Sequence, residues 1–183
     1  MVCVWAACST PQAREQSGEV ALPAPKTIQP SVQTPSGFTE RMESVVQAYL
    51  SIKDALVQSD TAATNRAAGV FLAKLAGVDA SALSGGARGQ WNGYQKMLER
   101  TAVTLRANAT VEDKRVGLEE LSKLVYAAIH DFGLQTTLYK QYCPMALNDK
   151  GAFWLSAQPA IRNPYFGDQM LACGEVQEVL SGE

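Results

Sequence analysis

One histidine, His130, stands in a chain of 183 residues. That scarcity removes most catalytic templates. A Ser-His-Asp arrangement would need His130 within reach of a serine and an acid, and nothing near it along the chain suggests one. No HExxH and no CxxC occurs, and the glycine-rich "SGGARG" lacks the Lys-Ser/Thr that completes a phosphate cradle. Adjacent carboxylates such as Glu119 and Glu120 fall on what the pattern makes a solvated helix face. Neither sign of charge is in excess. Sixteen Lys and Arg stand against 18 Asp and Glu, a net charge of −2, so there is no basic footprint for nucleic acid. No apolar run reaches the roughly 18 residues that a membrane-spanning helix needs. No repeat with a period of roughly 20–50 residues marks a solenoid. These absences point away from an enzyme.

What is present is an ordinary globular balance, 46% hydrophobic and 19% charged, with enough apolar area for one core. Four cysteines fall into two pairs, Cys3 with Cys8 and Cys143 with Cys173. The first pair lies in "MVCVWAACST". Small residues directly before Cys8 suit a lipoprotein signal peptidase, and Cys8 is the candidate lipidation site. Only seven residues precede Cys8 and no charged start is present, so residues 1–8 read as a truncated lipoprotein-type signal. Residues 9–36 are rich in Pro, Gln, Ser and Thr without apolar periodicity, and read as a disordered tether. The expectation is a domain over residues 37–183, held at the periplasmic side of a membrane or elsewhere in the cell envelope through the lipid alone.

Within that domain Thr39 is a candidate cap for a first helix carrying Val45, Val46, Tyr49, Ile52 and Leu56 at spacings of three and four. Asp60 caps a second, with Ala63, Ala67, Val70, Phe71 and Leu75 as its stripe and Gly77 at its end. A polar loop, "DASALSGGARG", follows. The spacing predicts a third helix from about Gln90 to Ala107 (Trp91, Tyr94, Leu98, Ala102 and Leu105 inward). It predicts a fourth from about Val111 to Phe132 (Leu118, Leu121, Val125, Ala128 and Phe132 inward). The expected fold is mainly α, an up-and-down antiparallel four-helix bundle with a small irregular or β C-terminal cap.

The cap begins near residue 139 and carries the chemistry. "TTLYKQYC" and "AFWLS" read as strands, Asn148 to Gly151 as a turn, Asn163-Pro164 as a short helix start, and "EVQEVL" as strand or helix. Cys143 and Met145 share a face of a strand, and Met170 and Cys173 share a face of a helical turn. Two thiolates and two thioethers of this kind select a soft metal, copper(I) above all. The same cysteines are candidates for a disulfide in an oxidising compartment, which over a loop of about 31 residues stabilises by about 3–4 kcal/mol. Inert buried thiols are the third possibility. His130, near a helix C-terminus, suits the dipole there and is a distant fifth ligand. Trp154, Tyr165 and Phe166 are either core beneath the cap or a partner-binding surface.

These residues carry a family resemblance. Gln141 to Ala146 (QYCPMA), Asn148 to Ala152 (NDKGA), Trp154 to Ser156 (WLS), Ile161 to Gly167 (IRNPYFG), Met170-Leu171 and Cys173-Gly174 closely resemble the family called domain of unknown function 3347. So does "YLSIKDALVQSD" from Tyr49 to Asp60, and the resemblance runs from about Val45 to Val179. It implies a secreted or lipid-anchored bacterial protein. It also implies kinship with domains at the end of periplasmic adaptors of copper/silver-type heavy-metal efflux pumps. The stretch from Tyr142 to Met145 is similar to the "YxCPMH" of short heavy-metal-binding domains, but Ala146 replaces its His. Many members carry a His shortly before the residue matching Trp91, where this chain has Arg88. The resulting expectation is a non-enzymatic envelope domain that binds or hands over copper beside an efflux system, with a disulfide-stapled interaction module as the alternative.

Overall fold

The computed structural model describes residues 21–182. Cys3, Cys8, the expected signal and the part of the expected tether before residue 21 lie outside them. The described chain is mainly helical, with a small four-stranded sheet built largely from its last third.

Helix α1 spans Ser36–Val57, α2 Thr61–Ala76, α3 Gly85–Ala107 and α4 Val111–Phe132. Consecutive helices pack against one another, and α1 also touches α4. The cap assigned to α2 holds in detail, and α4 ends on a glycine. Asp60 accepts the N–H of Ala63 at 2.8 Å, and Gly133 ends α4 with a φ of 97° that favours glycine. Thr39 does not cap α1. The helix starts behind an extended Pro35, and the Thr39 hydroxyl lies 3.0 Å from that of Thr34 instead. The buried stripe of α2 is rotated from the expected one to Thr64, Ala68, Phe71 and Leu75, which leaves Val70 exposed. Thr64 tolerates burial because its hydroxyl donates to the Asp60 carbonyl at 2.7 Å. Helix α3 starts at Gly85, five residues before Gln90, through a turn that carries no apolar signal.

The core joins the inner faces of the helices to the sheet. Phe38, Trp91 and Phe132 meet edge-on or tilted, with ring centroids 5.1–5.6 Å apart. Lys114 is fully buried, yet its ammonium donates to the last carbonyls of α3, Leu105 and Arg106, and to Asn65. It caps α3 from within α4.

The strands are β1 (Pro25–Thr27), β2 (Leu138–Cys143), β3 (Ala152–Ser156) and β4 (Glu175–Ser181), in the order β1-β4-β2-β3. β1 runs parallel to β4, and the other pairs are antiparallel. The cap is therefore a regular sheet, and "EVQEVL" is strand. β1 corrects the expected tether. Its stretch of residues 9–36 is bound to the domain from Pro25 onward. Ile28 is buried and donates to the Ser181 carbonyl at 2.9 Å, and Val32 donates to that of Asp131 at 3.1 Å. Backbone bonds hold this strap, so it needs no hydrophobic stripe. After Asn163-Pro164 the chain makes only a turn and a 3-10 segment, Gly167–Gln169.

Candidate functional site

The sulfur residues converge in part. Cys143 ends β2, opposite Ala152 of β3, and is fully buried. Cys173 closes a turn in which its N–H donates to the Met170 carbonyl at 3.0 Å. Asn163 holds that turn in place. Its amide donates to the Cys173 carbonyl at 2.8 Å, its backbone N–H donates to that of Leu171, and its side-chain oxygen accepts from Tyr165. Gly174 has a φ of 136° and lies so close to Tyr142 that a Cβ there would be 2.8 Å from the Tyr142 carbonyl oxygen. That close approach brings Cys173 to Cys143, and their sulfurs lie 2.7 Å apart. The contact with Cys143, followed by burial, pushes the Cys173 thiol up to about 11.

The thioethers do not share this enclosure. Met145 is 45% exposed, and Met170 is half-buried. Beyond Met145 the chain reverses through Leu147, Asn148 and Asp149, with φ of 54°, 59° and 61°. Left-handed backbone costs roughly 1–2 kcal/mol per residue other than glycine. The strand-to-strand turn read from "NDKG" is therefore present, but it begins one residue earlier and is strained. Among the described residues, no three His, Cys, Asp or Glu side chains form a metal-type group.

His130 sits elsewhere. Its ring stacks on Tyr126, 4.5 Å between centroids, and its charged neighbours are Lys26, Glu178, Asp131 and Lys140. Its Nε2 is buried without a hydrogen-bond partner among the described residues. Burial first, then Lys26, lowers its pKa below the usual 6.5. The unfolded chain therefore takes up this proton first as pH falls. Stability is complete above the unfolded value and declines as pH drops below about 6.5 toward the folded value. Thermal melts between pH 7.5 and 5.5 should show this decline, and His130→Gln should flatten it.

The aromatic surface needs correction. Trp154 and Tyr165 are buried, with ring centroids 6.0 Å apart, and only Phe166 is half-exposed. The Tyr165 hydroxyl donates to the Phe153 carbonyl at 2.8 Å, and burial raises its pKa well above the ordinary phenol value. These two rings are core, because both polar handles find partners inside.

Two buried residues whose polar roles the sequence reading missed organise the cap. Gln141 donates from Nε2 to the carbonyls of Gln158, Pro159 and Ala160 at 2.9–3.3 Å and accepts the Trp154 indole N–H at 2.7 Å. Tyr49, read as an apolar stripe residue, accepts the Leu155 N–H at 3.0 Å and pairs with the Ser122 hydroxyl at 2.7 Å. It thereby links α1, α4 and β3, and burial pushes its phenol up to about 12.

The model of the family described as protein of unknown function (DUF3347) matches residues 45–137, half of the chain. The chain belongs to that family. The matched region runs from within α1 through α4 and stops before β2, so the cysteine cap lies beyond it. No curated protein and no solved structure matches the chain.

Proposed function

We propose that this protein is a non-catalytic module of the bacterial cell envelope in which a Cys143–Cys173 disulfide fastens the sheet cap to an up-and-down antiparallel four-helix bundle. It acts by contact with a partner protein rather than by chemistry of its own. The observation that carries this reading is the juxtaposition of the two thiols across 30 residues of sequence, their sulfurs 2.7 Å apart. Two thiolates that hold one ion through bonds of about 2.3 Å stand roughly 3.8 Å apart in tetrahedral geometry. At 2.7 Å the Cys143 and Cys173 sulfurs are closer than that, which supports the staple over a shared ion.

Soft-metal handling is the second reading, and the exposed thioether of Met145 favours it. Here Cys143, Met145, Met170 and Cys173 would hold copper after the sulfurs part, for transfer to heavy-metal efflux components. A Cu(I) titration against a competing chelator, on oxidised and on reduced protein, separates the two. The staple predicts no Cu(I) retained by the oxidised chain and no effect of Met145→Leu or Met170→Leu. One Cu(I) per chain, lost at least tenfold in affinity with either methionine replaced, would reverse the order of the readings.

A further inference from the structure

Away from the cysteines, the strongest unassigned feature is a cleft of about 210 Å³ between α1 and the chain that follows β3. Lys53 lies in it on the buried face of α1, one turn beyond Tyr49, and is only 4% exposed. A buried ammonium carries three donors and needs acceptors for them. Its one partner among the described residues is the carboxylate of its neighbour Asp54, which is itself 63% exposed. Gln47 and Ser51 of the lining donate within α1, to Glu43 and to the Gln47 carbonyl, but three other lining side chains have donors to spare. The Ser156 hydroxyl accepts the Gln158 N–H at 3.1 Å and donates to nothing among the described residues. The side-chain amide of Gln158 and the guanidinium of Arg162 likewise have no hydrogen-bond partner there.

We propose that this cleft is a binding site for a carboxylate group. Lys53, Ser156, Gln158 and Arg162 line one small volume whose free side-chain donors outnumber its acceptors, which suits a ligand that accepts. Its charge follows from the lining. Lys53 and Arg162 carry two positive charges and Asp54 one negative, which leaves a single positive charge for a monoanion. A carboxylate fits that balance better than a doubly charged phosphate, and its two oxygens match the fork of Arg162. Burial of Lys53 then has a reason beyond packing, because the bound anion completes its hydrogen bonds in a partly desolvated place. In sequence the residue shows only as a charge on the apolar stripe of α1.

The test is a titration of the full chain, followed by amide chemical shifts. The probes are sodium acetate and an N-acetylated, C-amidated Gly-Glu-Gly peptide, each against chloride of equal ionic strength. Saturable shifts confined to residues 47–54 and 156–162 are expected, with Arg162→Gln weakening binding at least tenfold. Arg162 is exposed, so that variant retains the fold, and Lys53→Met should abolish the shifts. Saturation by acetate assigns the site to a free small carboxylate, and saturation by the peptide alone assigns it to an acidic side chain of a protein. Shifts that fail to saturate beyond the chloride control with both probes, or that survive Arg162→Gln, would overturn the site.

Discussion

Cys143→Ser is expected to lower the unfolding midpoint of the oxidised protein by roughly 6–16 °C. The proposed bridge would close a loop across the 30-residue separation of Cys143 and Cys173. On the chain-entropy account, releasing such a loop costs about 3–4 kcal/mol. For a domain of this size each kcal/mol moves the midpoint by about 2–4 °C. Position 143 is fully buried at the end of β2, so the serine hydroxyl adds a desolvation cost of its own. Cys173→Ser, half-exposed, should lose somewhat less. Wild-type protein treated with dithiothreitol should fall towards both variants, while the variants themselves should not respond to reductant. That pattern ties the loss to the bridge rather than to packing. If reductant leaves the wild-type midpoint unmoved, the sulfurs are inert thiols and the staple is wrong.

Gln141→Leu should destabilise by about 2–4 kcal/mol, measured as the shift of the urea midpoint at unchanged slope. Leucine conserves most of the volume, so the effect isolates the polar bonds. The carbonyls of Gln158, Pro159 and Ala160 belong to exposed residues and recover water. The indole N–H of Trp154 cannot, because Trp154 is fully buried. An orphaned buried donor costs about 1–3 kcal/mol, and lost packing of the released loop supplies the rest. The double variant with Trp154→Phe removes the orphan and should recover about 1–3 kcal/mol relative to the sum of the single losses. Amide exchange should also quicken selectively over residues 156–162.

The helices were legible because burial repeats every three or four residues along α1, α3 and α4. Where the pattern misled, a local hydrogen bond had replaced it. Thr64 is buried in the place expected of Val70's side of α2 because its hydroxyl is satisfied by Asp60. β1 left no trace, since three residues bound through their backbone carry no periodicity. The cysteines were legible as a pair with a disulfide among the readings, but the geometry that joins them was not. It depends on the register of β2 against β4 and on the close approach of Gly174 to Tyr142, neither of which a spacing encodes. The separation of Met145 from the enclosure follows from left-handed backbone at Leu147, Asn148 and Asp149, which only Asn and Asp advertise. The internal roles of Gln141 and Asn163 escaped notice for one common reason: a polar side chain satisfied inside the protein looks in sequence like any surface residue.

The most direct test of the staple is a peptide map. Protein recovered from an oxidising compartment is alkylated without reduction and cut with trypsin. Cleavage after Lys140 and Lys150 isolates Cys143 in the peptide Gln141–Lys150, and cleavage after Arg162 puts Cys173 in the peptide that begins at Asn163. The account predicts one cross-linked species that separates into these two peptides on reduction. Two unlinked peptides, each carrying an alkyl group on its cysteine, would contradict it.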